Sequence, residues 1–121
     1  MSQYDVIIIG AGPGGIFAAY ELAKKAPELK VAVFEAGNSL EKRKCPIDGK
    51  KIKSCINCKT CAIMSGFGGA GAFSDGKYNI TNDFGGTLYE YIGKDTAIDL
   101  MKYVDEINLC LLYTSPSPRD G

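Results

Sequence analysis

The fold is decided by two short stretches near the start of the chain, Asp5-Val-Ile-Ile-Ile-Gly10-Ala-Gly-Pro-Gly-Gly15 and Val31-Ala-Val-Phe-Glu35. Each contains a continuous run of apolar residues, β-branched throughout in the first stretch, which is typical of a buried strand in a parallel sheet. Apolar residues recur at helical spacing between them, and Pro27 blocks continuation of that helix. The pattern predicts one βαβ unit with a strand over residues 4–9, a helix over 14–25 and a strand over 31–34.

The loop between the first strand and the helix has the Gly-x-Gly-x-x-Gly spacing of a dinucleotide-binding turn. We expect Gly10 to make the tight turn, Gly12 to let the backbone approach a pyrophosphate, and Gly15 to let the helix pack on the strand. The helix N-terminus offers N–H groups and a positive dipole end to phosphates. After the second strand, the Glu35 carboxylate is placed to accept ribose hydroxyls and to repel a 2′-phosphate. The fingerprint predicts FAD or NAD and does not distinguish them.

The composition fits one small domain of a soluble protein. The chain has 121 residues, 14 basic and 14 acidic side chains, and no histidine, so its formal net charge is zero and imidazole base chemistry is excluded. It has no secretory signal and no apolar run of the roughly 20 residues that span a bilayer, so we expect a cytoplasmic location and no membrane partner. A doubly wound sheet needs about six strands. Because only two are predicted, we expect an N-terminal fragment of a longer protein.

The end of the chain departs from the globular pattern. Pro116 and Pro118 are incompatible with a continuing helix, and the composition around them is that of a disordered segment. The stretch also resembles a translated sequencing adaptor. We therefore expect residues 1–109 to be the N-terminal part of an FAD/NAD(P)-binding domain, and residues 110–121 to be a disordered, non-native tail.

Little regular structure is predicted between the βαβ unit and the tail. Residues 37–53 are charged and loop-like, and residues 55–76 are rich first in cysteine and then in glycine. Such glycine density suits a backbone wrapped closely around a ligand, and a mobile surface loop has the same composition. Apolar residues at helical spacing predict helices over 87–91 and 96–109.

Basic side chains crowd residues 42–59. A basic patch of this kind either binds an anionic partner or is a solvated loop. It contains no motif that reads nucleic acid, so nucleic acid is not expected as a partner. The patch comprises Arg43 and six lysines, Lys42, Lys44, Lys50, Lys51, Lys53 and Lys59.

Four cysteines are close enough in sequence to converge on one centre, namely Cys45, Cys55, Cys58 and Cys61. Thiolates are soft ligands, and four of them suit zinc or an iron–sulfur cluster. The C-x2-C-x2-C run has bacterial ferredoxin spacing, but the Cys-Pro pair stands upstream of it instead of following it. A redox-active dithiol beside a flavin and unligated structural thiols in a reducing cytosol are the alternatives. Cys110 opens the expected tail and is given no role.

Five motifs occur in one order: Gly10-Ala-Gly-Pro-Gly-Gly15, Glu35, Arg43-Lys-Cys45-Pro46, the C-x2-C-x2-C run, and Gly68-Gly-Ala-Gly-Ala-Phe-Ser-Asp-Gly-Lys77. Over residues 4–109 the chain therefore resembles the N-terminal part of bacterial and archaeal FAD-dependent dehydrogenases, an uncharacterised family of NAD(P)/FAD-dependent oxidoreductases. The resemblance implies FAD as cofactor and leaves the substrate undefined. The cofactor contacts that the loop fingerprint and the resemblance imply are Gly10, Ala11, Gly12, Pro13, Gly14, Gly15, Glu35, Arg43, Gly69, Ala70 and Ser74.

The expected fold class is α/β: an incomplete Rossmann-like FAD/NAD(P)-binding fold that continues into a cysteine- and glycine-rich loop region and C-terminal helices. The expected function is that of an FAD-dependent oxidoreductase when full length, with this chain alone inactive and no catalytic residue identified. Its partners would be NAD(P)H as electron donor and a small-molecule substrate or electron acceptor. Two alternatives stay open, a non-enzymatic dinucleotide-binding module of the same fold and a metal-stabilised basic binding module.

Overall fold

The structure, a computed structural model, describes residues 3–83 and 85–111. The chain divides into two compact units, the first ending at Ser74 and the second beginning at Asp75. Most of the predicted tail lies outside the described residues, so its disorder and its non-native origin stay predictions.

The first unit contains the predicted βαβ unit. Strand β1 is Val6–Ile9, helix α1 is Pro13–Lys25 and strand β2 is Val31–Phe34. The two strands form a parallel sheet in which Val6 pairs with Val31 and Ile9 pairs with Phe34. The prediction of a mixed α/β unit with a small parallel sheet is confirmed.

Local sequence explains where α1 begins and ends. Gly12 is the N-cap, and Pro13 occupies the first helical position, where its missing N–H is not needed. At the other end, the Ala26 N–H donates to the Leu22 carbonyl at 2.8 Å, and Pro27 prevents a further turn. The helix lies against both strands and brings its N-terminus to the carboxyl end of β1.

The strands are apolar, yet their side chains are largely uncovered within the described residues. Ile7 is 56 % exposed, Ile9 82 % and Phe34 53 %. Continuous apolar strands of a parallel sheet normally lie between two layers of helices. The described residues cover only part of the two faces of this sheet.

The segment from Gly37 to Gly76 is mostly irregular, as its composition predicts. It contains two short 3-10 turns, Leu40–Lys42 and Gly69–Phe73. The second turn lies within the glycine-rich part of the segment and ends immediately before the boundary of the first unit.

The second unit consists of two packed helices and the loop before them. Helix α2 is Leu88–Ile92 and helix α3 is Lys94–Leu111, separated by Gly93 at φ +86°. Ala97 and Ile107 on α3 are buried, as the predicted apolar stripe requires. Burial, together with the nearby Asp105 carboxylate, raises the pKa of Tyr78. Helix α3 continues two residues into the predicted tail. No helix in the described part of the chain is long and apolar enough to cross a membrane.

Candidate cofactor-binding site

The phosphate loop, residues 10–15, follows β1 directly and depends on two of its glycines. Gly10 has φ +101°, a conformation that favours glycine, and its N–H donates to the Phe34 carbonyl at 2.7 Å. A Cβ on Gly15 would collide with the Gly10 carbonyl oxygen and lie 3.2 Å from Ile8 Cγ2. The structure thus confirms the turn at Gly10 and the close helix–strand approach at Gly15.

The first turn of α1 presents N–H groups at the carboxyl end of β1. The Ile16 N–H donates to the Gly12 carbonyl at 2.9 Å, which begins the helical hydrogen bonding. The N–H groups of Gly14 and Gly15 precede that bond and have no acceptor within the helix. No atom lies within 4 Å of the position that a Cβ on Gly14 would take. The helix N-terminus therefore has the donors, the dipole and the local space that a pyrophosphate requires.

Glu35, immediately after β2, bonds directly to the phosphate loop. Its Oε1 accepts the Ala11 N–H at 2.9 Å, and its Oε2 accepts the Gly37 N–H at 2.7 Å. These two hydrogen bonds, the one from Ala11 first, lower the pKa of the Glu35 carboxyl below its usual value. Each carboxylate oxygen has a second lone pair. The ionised side chain can therefore hold the loop and still accept a hydroxyl, so ribose binding at Glu35 stays a prediction.

A cavity of about 420 Å³ opens beside Glu35. Its volume lies within the range of small-molecule sites, about 300–1,000 Å³. The residues that follow β2 form most of its wall, and the Phe67 side chain lies on another side. The lining residues are Glu35, Gly37, Asn38, Ser39, Leu40, Glu41 and Phe67.

The second glycine-rich segment, residues 66–74, packs against the phosphate loop. The Gly68 N–H donates to the Ala11 carbonyl at 2.7 Å. Gly69, at φ +61°, is so close that a Cβ on it would lie 3.1 Å from Gly12 Cα and 3.0 Å from Pro13 Cδ. The close approach at Gly12 is thus to another glycine backbone, and its predicted pyrophosphate contact is untested. The same holds for the cofactor contacts predicted at Gly69 and at the exposed Ala70 and Ser74.

Arg43 holds the glycine-rich segment in place. Its side chain is buried, with the residue only 5 % exposed. Nε donates to the Ala62 carbonyl at 2.8 Å, Nη2 to the Ile63 carbonyl at 2.8 Å, and Nη1 to the carbonyls of Phe67 and Gly69 at 2.7 and 2.9 Å. These bonds use four of the five guanidinium N–H groups.

The Arg43 guanidinium also stacks over the Phe73 ring, 4.9 Å from its centroid. The predicted contact between Arg43 and a cofactor phosphate or ribose stays a prediction. What the structure shows is a positioning role, which sequence reasoning missed. The local signal for it is an arginine that precedes a segment too rich in glycine to order itself.

The four upstream cysteines line one cavity of about 230 Å³, the cysteine cavity. All of them are free thiols: Cys45 is half-buried, and Cys55, Cys58 and Cys61 are exposed. In the part of the chain that the structure describes, no three Cys, Asp or Glu side chains are arranged to hold a metal ion. The predicted zinc or iron–sulfur ligand set is therefore not supported, although the four thiols line a common cavity.

Comparison with known proteins finds a family match over the βαβ segment. The sequence model of the Thi4 family matches residues 1–41. Thiamine thiazole synthase of Yarrowia lipolytica is 58% identical over 36 residues, which are 30% of this chain and 11% of that protein. Thiamine thiazole synthase of Fusarium oxysporum is 53% identical over 38 residues, 31% of this chain and 12% of that protein.

A further match extends over more of the chain. An uncharacterised protein of Clostridium beijerinckii is 39% identical over 71 residues, 59% of this chain and 13% of that protein. This chain thus spans 11% to 13% of the length of these relatives. No solved structure matches it significantly. The comparisons support a flavoprotein-type dinucleotide-binding segment at the family level.

Proposed function

We propose that the first unit is the FAD-binding segment of an FAD-dependent oxidoreductase. One observation carries the proposal: the Glu35 carboxylate accepts the Ala11 N–H from inside the phosphate loop at 2.9 Å. The acceptor for a ribose and the donors for a pyrophosphate are thereby fixed relative to each other. This is the arrangement that a dinucleotide needs at the carboxyl edge of a parallel sheet.

Each part of the cofactor has a matching part of the site. The Gly14 and Gly15 N–H groups at the start of α1 would donate to the pyrophosphate. Glu35 would accept a ribose hydroxyl, and the cavity beside it would take the adenosine. The Thi4 family is FAD-related, so its match over residues 1–41 supports FAD as the dinucleotide.

The flavin would supply the redox chemistry, and the protein would supply binding and orientation. We propose NAD(P)H as the electron donor and a small molecule as the substrate or electron acceptor, in keeping with the resemblance to FAD-dependent dehydrogenases. The thiazole synthesis named for the fungal relatives is not proposed. The family match ends at residue 41, before the cysteines and the second glycine-rich segment.

The main competing function is a dinucleotide-binding module without catalysis, since the same fold serves both roles. Reduction of the bound flavin by NADH or NADPH under anaerobic conditions separates the two functions. A metal-stabilised basic module is not favoured, because the described residues offer no ligand set for a metal.

Replacing Glu35 tests the ribose contact. In the full-length protein, E35A is expected to weaken FAD binding about 10- to 100-fold, the range of about 1.5–3 kcal/mol for a hydrogen bond to a charged group. The measurement is a titration of apoprotein with FAD. E28A is the matched control, because Glu28 is an exposed carboxylate in the turn before β2, outside the cavity. Equal affinities of wild type and E35A would remove Glu35 from the site.

A further inference from the structure

The cysteine cavity is built by the same arginine that orders the glycine-rich segment. Arg43 stands two residues before Cys45, and its Nε and Nη2 donate at 2.8 Å to the carbonyls of Ala62 and Ile63, directly after Cys61. Both ends of the cysteine-bearing segment are therefore tied to one buried side chain. This explains how Cys45, ten residues upstream of Cys55, lines the same cavity as the other three cysteines.

The Cys55 sulfur takes part in hydrogen bonds with Asn57. The Asn57 N–H donates to Cys55 Sγ at 3.4 Å, and the Asn57 side-chain oxygen lies 3.7 Å from the same sulfur. Asn57 achieves this at φ +55°, and it is the one non-glycine residue with positive φ among the described residues. The bond from the Asn57 N–H fixes the position of the Cys55 sulfur. Cys55 is also exposed, so an incoming molecule can reach it.

The segments that contribute residues to the cavity wall are rich in basic side chains. The six lysines of the basic patch are all exposed, whereas Asp48 is the single acid between residues 42 and 61. None of the six forms an ion pair within the part of the chain that the structure describes. Exposed lysines on these segments attract anionic molecules.

We propose that the cysteine cavity is a thiol–disulfide exchange site that is oxidised by an anionic small-molecule disulfide, with Cys55 as the attacking thiol and Cys58 as the resolving thiol. The Cys55 sulfur attacks one sulfur of the disulfide, and the other sulfur leaves as a thiol. The Cys58 sulfur then attacks Cys55, and the second thiol leaves. Two electrons pass from the cysteine pair to the small disulfide, and the two cysteine protons end on the two released thiols.

The proposal differs from a metal site in what it requires. A metal needs three or four sulfurs to converge, which the structure does not show. Exchange needs one accessible thiol with a second within reach, and the C-x-x-C spacing of Cys55 and Cys58 provides that pair. The proposal does not depend on flavin binding, so it can fail while the proposed function holds, and the reverse.

The test uses the reduced, full chain and two disulfides of opposite charge, oxidised glutathione and cystamine. Oxidised glutathione is expected to leave one internal Cys55–Cys58 disulfide, mapped by peptide mass analysis. Its rate should fall as salt is raised, whereas the rate with cystamine should rise, because salt screens the exposed lysines of the basic patch. C58S should accumulate the mixed disulfide with glutathione, and C55S should react about tenfold more slowly than wild type. C110S is the control and should behave like wild type.

Three results would overturn the proposal. The first is an oxidised product whose internal disulfide omits Cys55. The second is a native chain that forms no internal disulfide although all its cysteines react after denaturation. The third is a purified chain that holds stoichiometric zinc or iron, with thiols that react only after the metal is removed.

Discussion

Replacing Arg43 with alanine should release the second glycine-rich segment from the phosphate loop. The substitution leaves four backbone carbonyls without their donor and removes the ring stacking on Phe73. Hydrogen bonds to charged groups contribute about 1.5–3 kcal/mol each and are not additive, so we expect the free energy that holds the segment in place to fall by about 3–5 kcal/mol. The Gly68 N–H, which donates to the Ala11 carbonyl, should then exchange with solvent at least about 100-fold faster, because each tenfold corresponds to about 1.4 kcal/mol.

Two further variants make the Arg43 result specific. R43K keeps the charge but offers a single ammonium group in place of a planar fork, so it should recover little of the loss. K44A removes an exposed cation one residue away and should change stability by no more than about 0.5 kcal/mol. If R43A and K44A gave the same exchange rate at Gly68, the positioning role of Arg43 would be wrong.

G15A is expected to destabilise the βαβ unit strongly. The added Cβ meets the Gly10 carbonyl oxygen and Ile8 Cγ2, and the first of these belongs to a backbone that cannot rotate away. Helix α1 must then lift from β1. Overpacking costs typically about 1–3 kcal/mol, and we expect the upper end of that range together with loss of FAD binding. Thermal unfolding followed by circular dichroism measures the first effect, and an FAD titration measures the second.

The neighbouring glycine provides a matched control for that experiment. A Cβ on Gly14 meets no atom within 4 Å, and alanine is preferred over glycine in a helix by about 1 kcal/mol. G14A should therefore unfold at the same temperature as wild type or at a higher one. Similar destabilisation by both substitutions would show that the helix–strand contact at Gly15 is not specific.

The sequence predicts the βαβ unit well, because strand and helix periodicity are local signals. The predicted bounds of strand β2 match the observed ones. The predicted helix α1 begins one residue later than the observed helix, because Pro13 occupies the first helical position. Strand β1 begins two residues later than predicted, since Asp5 bonds outside the ladder and its carboxylate accepts the Lys30 N–H. Helix α3 begins two residues earlier than predicted, because the Ala97 N–H already donates to the Gly93 carbonyl.

The contacts that complete the candidate site could not be predicted in the same way. The hydrogen bonds of Arg43 join residues 19 to 26 positions apart, and such pairings leave no periodic pattern in the sequence. The sequence predicts that the four cysteines lie near one another, but their spacing alone could not show that they form no metal-ligand set among the described residues. Backbone contacts such as Gly68 with Ala11 depend on how two loops pack.

The central claim is that this phosphate loop and Glu35 bind FAD, and the most direct test is to identify the nucleotide that the full-length protein carries. The protein would be purified without added cofactor and denatured, and the released molecules would be separated by chromatography against FAD, FMN, NAD and NADP standards. The account predicts FAD in near-stoichiometric amount, and its loss in the G15A variant. Release of NAD without flavin, or an equal FAD content in G15A, would contradict it.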